Sequence, residues 1–382
     1  MLFDFDKPQN RLNTNSVRWD KYEGENVLPL WVADMDFQSP PCVLEALHKR
    51  VNHGIFGYTY QPKQFNKTIA NYLCEQYQWE VDPEWIVILP SVVSGLYTAV
   101  QQLTKPNETV VIPNPIYHHF RNACIAFNRN YLEISLELIE NRWVYPNYIN
   151  NTISNLNLSH QPNLALFCNP QNPGSTVFKE DELKRYAEFC LDNDLWICSD
   201  EIHAGLILDE TKKHIPIASL SSEISKKTVT LMSLNKTFNF AGISLAWAVA
   251  ENPFLRELMQ VGLNQTIPDP SVFSYVASEA AMKDGEPWRL ELLNYLRQNR
   301  DLITNTIKAM PKLKIGNIEA TYLAWIDFSE IEKQDPFKLL LTSGLATSPG
   351  VQFGQGKYIR LNFGTQKELL RNGLEIIRNT IY

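Results

Sequence analysis

Between about Glu84 and Ala250 the chain alternates short apolar runs with longer amphipathic ones, and this alternation restricts the fold more than any other feature. Ile86–Leu89, Thr109–Ile112, Leu164–Cys168, Leu195–Cys198, Thr228–Met232 and Ala246–Ala250 read as strands. Runs without polar alternation suit strands covered on both faces, as in parallel sheets. Between them, Val92–Leu103, Tyr117–Phe127 and Glu180–Asn193 read as helices. The expectation is an α/β fold, a mainly parallel central sheet with helices on both faces. The last hundred residues differ: a charged helix over Pro287–Ala309, strands at Tyr322–Asp327 and within Gly356–Gly364, and a closing helix at Leu369–Asn379. This predicts a smaller α+β domain. The division expected is an N-terminal segment (1–48) packing with the small domain, a large domain (49–283) and a small C-terminal domain (284–382). Asparagine-rich Asn147–Asn163 reads as a polar helix plus loop.

Charge and composition exclude several functions. The net charge of -7 and the lack of a long basic run disfavour nucleic acid as the main partner. Met1–Asp6 lacks the basic start and apolar core of a signal peptide, and no run is apolar enough to span a bilayer. The six cysteines show neither CxxC nor zinc spacing and read as small buried hydrophobes in a reducing cytoplasm. His118-His119 has no companion set for a metal, so none is expected. Gly350–Lys357 imitates a phosphate-binding loop, but its spacing is wrong and Tyr358 stands where Ser or Thr is required.

In open α/β sheets ligands bind beyond the carboxyl ends of the strands. The first strand is followed by Pro90–Gly95, opening a helix whose free amides suit an anion. The others are followed by Asn169–Pro173 (NPQNP), Ser199–His203 (SDEIH) and Ser233–Lys236 (SLNK). An anion cradle, an amide, a carboxylate and a lysine would share one edge. Pyridoxal 5′-phosphate, with its phosphate, ring hydroxyl, ring nitrogen and aldehyde, matches that set. Lys236 could instead be a lysine snorkelling from a strand end, Asp200 a cap, and Asn172 a turn residue.

With Leu28–Phe37 (LPLWVADMDF), His53–Tyr58 (HGIFGY), Lys236–Gly242 (KTFNFAG) and Tyr358–Gly364 (YIRLNFG) added, the chain resembles the fold-type I pyridoxal-phosphate enzymes of the class I/II aminotransferase superfamily. It is most similar to the MalY/PatB group of cystathionine β-lyases, over nearly its whole length. The resemblance implies a C–S β-lyase that converts an S-substituted L-cysteine to thiol, pyruvate and ammonia. Lys236 would carry the cofactor and act as base at Cα. Asp200 would face the ring nitrogen, Asn172 and His203 the ring hydroxyl, and Tyr117 the ring. Val92 and Val93 would bind phosphate through backbone amides, and Ser233 through its hydroxyl. Tyr58 would reach the site of a second subunit, implying a homodimer with composite sites; Tyr58 and Tyr117 are also candidate proton donors. Arg360 would clamp the substrate carboxylate, helped by the backbone at Ala33 and Asp34.

The family arginine eight residues after the lysine is Ser244 here, and Gln171, Ser175 and Thr176 replace a family His, Gly and Arg. Gly242 reads as a close-packing point. Trp31, Phe37 and Tyr60 suggest room for a bulky apolar substituent. A transaminase would use the same residues, and a mainly regulatory protein would share the fold without needing them.

Overall fold

The computed structural model describes residues 3–149, 162–264, 267–331 and 335–382. Its largest sheet has seven strands: β1 (Ile86–Leu89), β2 (Thr109–Asn114), β3 (Asn130–Ser135), β4 (Pro162–Cys168), β5 (Trp196–Asp200), β6 (Thr228–Met232) and β7 (Ala246–Val249), in the order β1-β7-β6-β5-β4-β2-β3. Only β7 opposes the rest, pairing antiparallel with β1 and β6. Strand β3 is absent from the sequence reading because Asn130–Ser135 is half polar and lies at the sheet edge, where one-sided burial suffices. Helix His119–Ala126 starts two residues later than expected, leaving Tyr117 on the connecting loop. Most of Asn147–Asn163 lies outside the described residues.

The pleat sends alternate residues of β4 to opposite faces. Leu164, Leu166 and Cys168 pack with Leu96, Ala99 and Val100 of helix Val92–Leu103. Ala165 and Phe167 pack with Leu183, Tyr186 and Phe189 of helix Glu180–Asp192. Covered on both faces, the strands need no polar side, which explains their continuous apolar runs. Among the described residues no helix is long and apolar enough to cross a membrane.

A second sheet of four strands contains β8 (Lys314–Ile315), β9 (Leu323–Asp327), β10 (Ser348–Pro349) and β11 (Tyr358–Asn362), in the order β8-β9-β11-β10. Helices Glu286–Lys308 and Lys367–Ile381 flank it. Near the N-terminus, Leu28–Pro29 pairs in parallel with Leu345–Ala346. In the next segment, Leu30–Asp36, Leu30 and Met35 join Leu361 and Phe363 in one apolar cluster.

The Gly350–Lys357 stretch is a tight turn between β10 and β11. A Cβ on Gly350 would lie 2.1 Å from Gln355 O and 2.2 Å from Tyr358 O, and Gly354 sits at φ +94°. Backbone oxygens cannot rotate away as a side chain can. Gly350→Ala is therefore expected to destabilise the protein by about 2 kcal/mol, read as a lower urea midpoint; an unchanged midpoint would refute the close-packing account. At Gly242 the expected close packing is absent: an added Cβ meets nothing within 4 Å.

Candidate functional site

At the carboxyl edge, register aligns Cys168 with Asp200 and Asp200 with Leu231. Asp200 closes β5, and Lys236 follows β6 by four residues. Helix Val92–Leu103 begins at the same edge, where the Ser91 hydroxyl accepts from Ser94 N at 3.0 Å. The first helical amides have no intrahelical partner, so those of Val92 and Val93 remain for a ligand. From the other sheet, β11 contributes Arg360, while segment Trp31–Ala33 crosses in front.

These elements enclose a cavity of about 370 Å³. Of the residues expected from sequence, Ala33, Val92, Val93, Tyr117, Asn172, Asp200, His203, Lys236 and Arg360 line it. Lys236 Nζ donates to Ala33 O at 2.6 Å, and Tyr322 OH donates to the same carbonyl at 2.9 Å. Arg360 donates to Asn172 Oδ1 at 3.0 Å, and to Trp31 O and Ser348 Oγ at 3.3 Å each. Its guanidinium lies 4.7 Å from the Phe353 ring centroid. Ile202 N donates to Asp200 Oδ1 at 3.1 Å.

Three expected residues stand elsewhere. Ser233 gives its hydroxyl to Leu245 O at 2.6 Å and does not line the cavity; Asn235, two residues on, lines it instead. The Asp34 backbone, expected at the substrate, is engaged within the chain: its N donates to Val32 O at 2.9 Å, its O accepts from Arg18 at 3.0 Å and Asn362 at 2.6 Å, and Ala33 faces the cavity instead. Tyr58 is fully exposed on the outer surface of this chain. Of the aromatics expected around a bulky substituent only Trp31 lines the cavity; Phe37 is core and Tyr60 is exposed. His118, Gln352, Phe353 and Ser348 are lining residues that the sequence reading missed. The adjacency of His118 to Tyr117 was the available signal. The other three come from a turn and a strand edge, and only tertiary structure brings these in.

The departures from the family motif are tied down. Gln171 Nε2 donates to Pro115 O at 2.7 Å, Ser175 Oγ to Leu323 O at 2.7 Å, and Trp143 N to Thr176 Oγ1 at 3.1 Å. Ser244 Oγ accepts from Asn235 Nδ2 at 3.3 Å.

Burial governs the electrostatics. It pushes the Asp200 carboxyl up to about 7; Glu201 adds to the rise, while the Ile202 amide and Lys236 oppose it. It pulls the Lys236 amine down to about 8, with Arg360 assisting against Asp34 and Asp200. His203 falls to about 3 through burial, Lys236 and Arg360, and its buried Nδ1 has no hydrogen-bond partner. Burial also lowers Arg360, to about 10.

The family model for aminotransferase class I and II matches residues 25–377. The chain is 34% identical to cystathionine beta-lyase PatB of Bacillus subtilis (strain 168), over 98% of this chain and 99% of that one. The crystal structure of OvoB superposes with a TM-score of 0.96 at 37% identity, covering 99% of each chain. Cystalysin from Treponema denticola, which contains pyridoxal 5′-phosphate, superposes with a TM-score of 0.93 at 28% identity, covering 100% of this chain and 99% of that one.

The residues present fit that cofactor. A buried carboxylate with one backbone hydrogen bond calls for a cationic partner such as a protonated ring nitrogen. The unpartnered His203 Nδ1 and the helix start leave unused polar groups for a hydroxyl and a phosphate. An easily deprotonated amine stands on the same cavity wall.

Proposed function

Since the chain belongs to the class I and II aminotransferase family, we propose that it is a pyridoxal 5′-phosphate-dependent C–S β-lyase, converting S-substituted L-cysteines such as cystathionine to a thiol, pyruvate and ammonia. The observation that carries the reading is Lys236. Its amine opens on the cavity shared with Asp200 and Arg360, with its pKa drawn down to about 8. The preference for elimination over transamination rests on the 34% identity to a cystathionine beta-lyase along both chains.

When bound, the cofactor supplies an electron sink next to the substrate Cα. Asp200 holds the proton on the ring nitrogen, while Asn172 and His203 hold the ring hydroxyl. Val92 and Val93 take the phosphate on backbone amides aided by the helix dipole. Asn235 assumes the polar position expected of Ser233. Tyr117 covers the ring and excludes water. Arg360 binds the substrate carboxylate, its plane set by Asn172, Trp31 O and Ser348. Ala33 O orients Lys236 Nζ, which takes the Cα proton. The thiolate leaving Cβ receives a proton from Lys236 Nζ, Tyr117 or Tyr58 of a second copy.

A homodimer with composite sites is part of this proposal. Ile55, Phe56, Tyr58 and Tyr60 are all exposed. Tyr60, with Thr59 and Gln61, lines a groove of about 640 Å³ that contains none of Lys236, Asp200 or Arg360. That larger groove therefore suits subunit contact rather than chemistry. A cytoplasmic setting is supported by four buried unpaired cysteines, Cys124, Cys168, Cys190 and Cys198.

Incubating the holoenzyme with cystathionine or S-ethyl-L-cysteine is expected to release free thiol and pyruvate in equal amounts without added keto acid. Turnover that strictly requires a keto acid would replace the lyase reading with a transaminase.

A further inference from the structure

The proposed roles leave part of the cavity wall unused. Asp200, Asn172, His203 and Lys236 go to the cofactor, and Arg360 to the carboxylate. His118 and Gln352 line the same space without an assigned task. His118 is the unusual member. Its Nδ1 is buried and has no hydrogen-bond partner. The neighbouring His119 has Nδ1 3.0 Å from Tyr97 OH, so only one of the two adjacent rings is satisfied at that nitrogen. The His118 ring is held edge-on to Tyr117, 4.5 Å between centroids, and lies 4.5 Å from His119.

Burial, His119 and Arg360 pull the His118 pKa down to about 4, so the ring is neutral near pH 7, with one donor and one acceptor nitrogen. A neutral imidazole on the cavity wall offers a hydrogen bond that a phenyl ring would not, and a ligand carrying a hydrogen-bonding group makes use of it. Among the described residues Asp200 is the only carboxylate lining the cavity, and its proposed partner is the cofactor.

We propose that His118 is a specificity-determining residue that reads the group attached to sulfur. It selects S-substituted cysteines whose leaving thiol carries a hydrogen-bonding group over isosteric aliphatic ones. The inference rests on the lyase reading for its substrate class.

The test pairs S-(2-hydroxyethyl)-L-cysteine with S-propyl-L-cysteine, equal in length and differing in the terminal hydroxyl. Their α-methyl analogues lack a Cα proton and report binding to the holoenzyme by calorimetry without turnover. The wild type is expected to favour the hydroxyethyl compounds about tenfold in both kcat/KM and Kd. His118→Phe is expected to abolish that preference by weakening the hydroxyethyl compounds alone, and His118→Gln to restore part of it. A wild type with no preference overturns the proposal, as does an equal loss on both compounds in His118→Phe. Binding preference retained while neither parent compound yields pyruvate would sink the lyase reading and leave the role of His118 standing.

Discussion

Lys236→Ala is expected to lower thiol release by about 10⁴-fold without unfolding the protein. Among the described residues the lysine is the only one on the cavity wall that combines an amine with a pKa near working pH. It donates to Ala33 O, a carbonyl that keeps a second donor in Tyr322, so its removal leaves no orphaned acceptor there. Stability should rise. Lys236 is depressed from 10.5 to about 8, so between those values the unfolded chain binds the extra proton. The wild type accordingly gains stability as pH rises through that window. The advantage of the alanine variant is then largest below pH 8 and fades toward pH 10.5. Pyruvate assays and thermal unfolding of the apoprotein across this range check both halves. Partial rescue of turnover by added methylamine would identify the lost group as the base, whereas a rate loss below tenfold would remove that role from Lys236.

Asp200→Asn is expected to cost at least about 10²-fold in turnover while stabilising the apoprotein in neutral and alkaline solution. The folded-state pKa is raised from 3.8 to about 7. The folded chain therefore holds the proton more tightly, and the wild type loses stability as pH climbs from about 4 to 7. Asparagine does not titrate and escapes this loss. The difference should be absent below pH 4 and reach on the order of 4 kcal/mol above pH 7. Added pyridoxal phosphate should stabilise the wild type more than the variant, since only the carboxylate meets a protonated ring nitrogen with an opposite charge. Equal denaturation curves at pH 8 would show that Asp200 carries no burial penalty.

What was legible in the sequence follows from the range of the interactions involved. Strands β1, β2, β4, β5 and β6 are buried on both faces, so their identity is written in consecutive apolar residues. Edge strand β3 carries Asn130 and Glu133 and gives no such signal. Asp200, Asn172 and Lys236 could be found because a parallel sheet sends every strand end to one side. Ser233 and Asp34 could not be placed correctly. The Ser233 hydroxyl is diverted by Leu245 O, and the Asp34 backbone is taken up by Val32 O, Arg18 and Asn362, partners that motif spacing does not encode. His118 was set aside because it lacks a metal partner set. Its place on the cavity wall depends on how Arg360 and Phe353 return from the other sheet.

The bond from Arg360 to Trp31 O spans 329 positions in the chain. The two residues lie far apart in the sequence, and the cavity wall has both only once the chain has returned to it. During synthesis the arginine leaves the ribosome long after Trp31 and Lys236. Until then the lysine loop has emerged without the group that would hold an amino acid beside it. Catalytic competence thus waits for Arg360, and a product truncated before it would be chemically silent even with its central sheet complete.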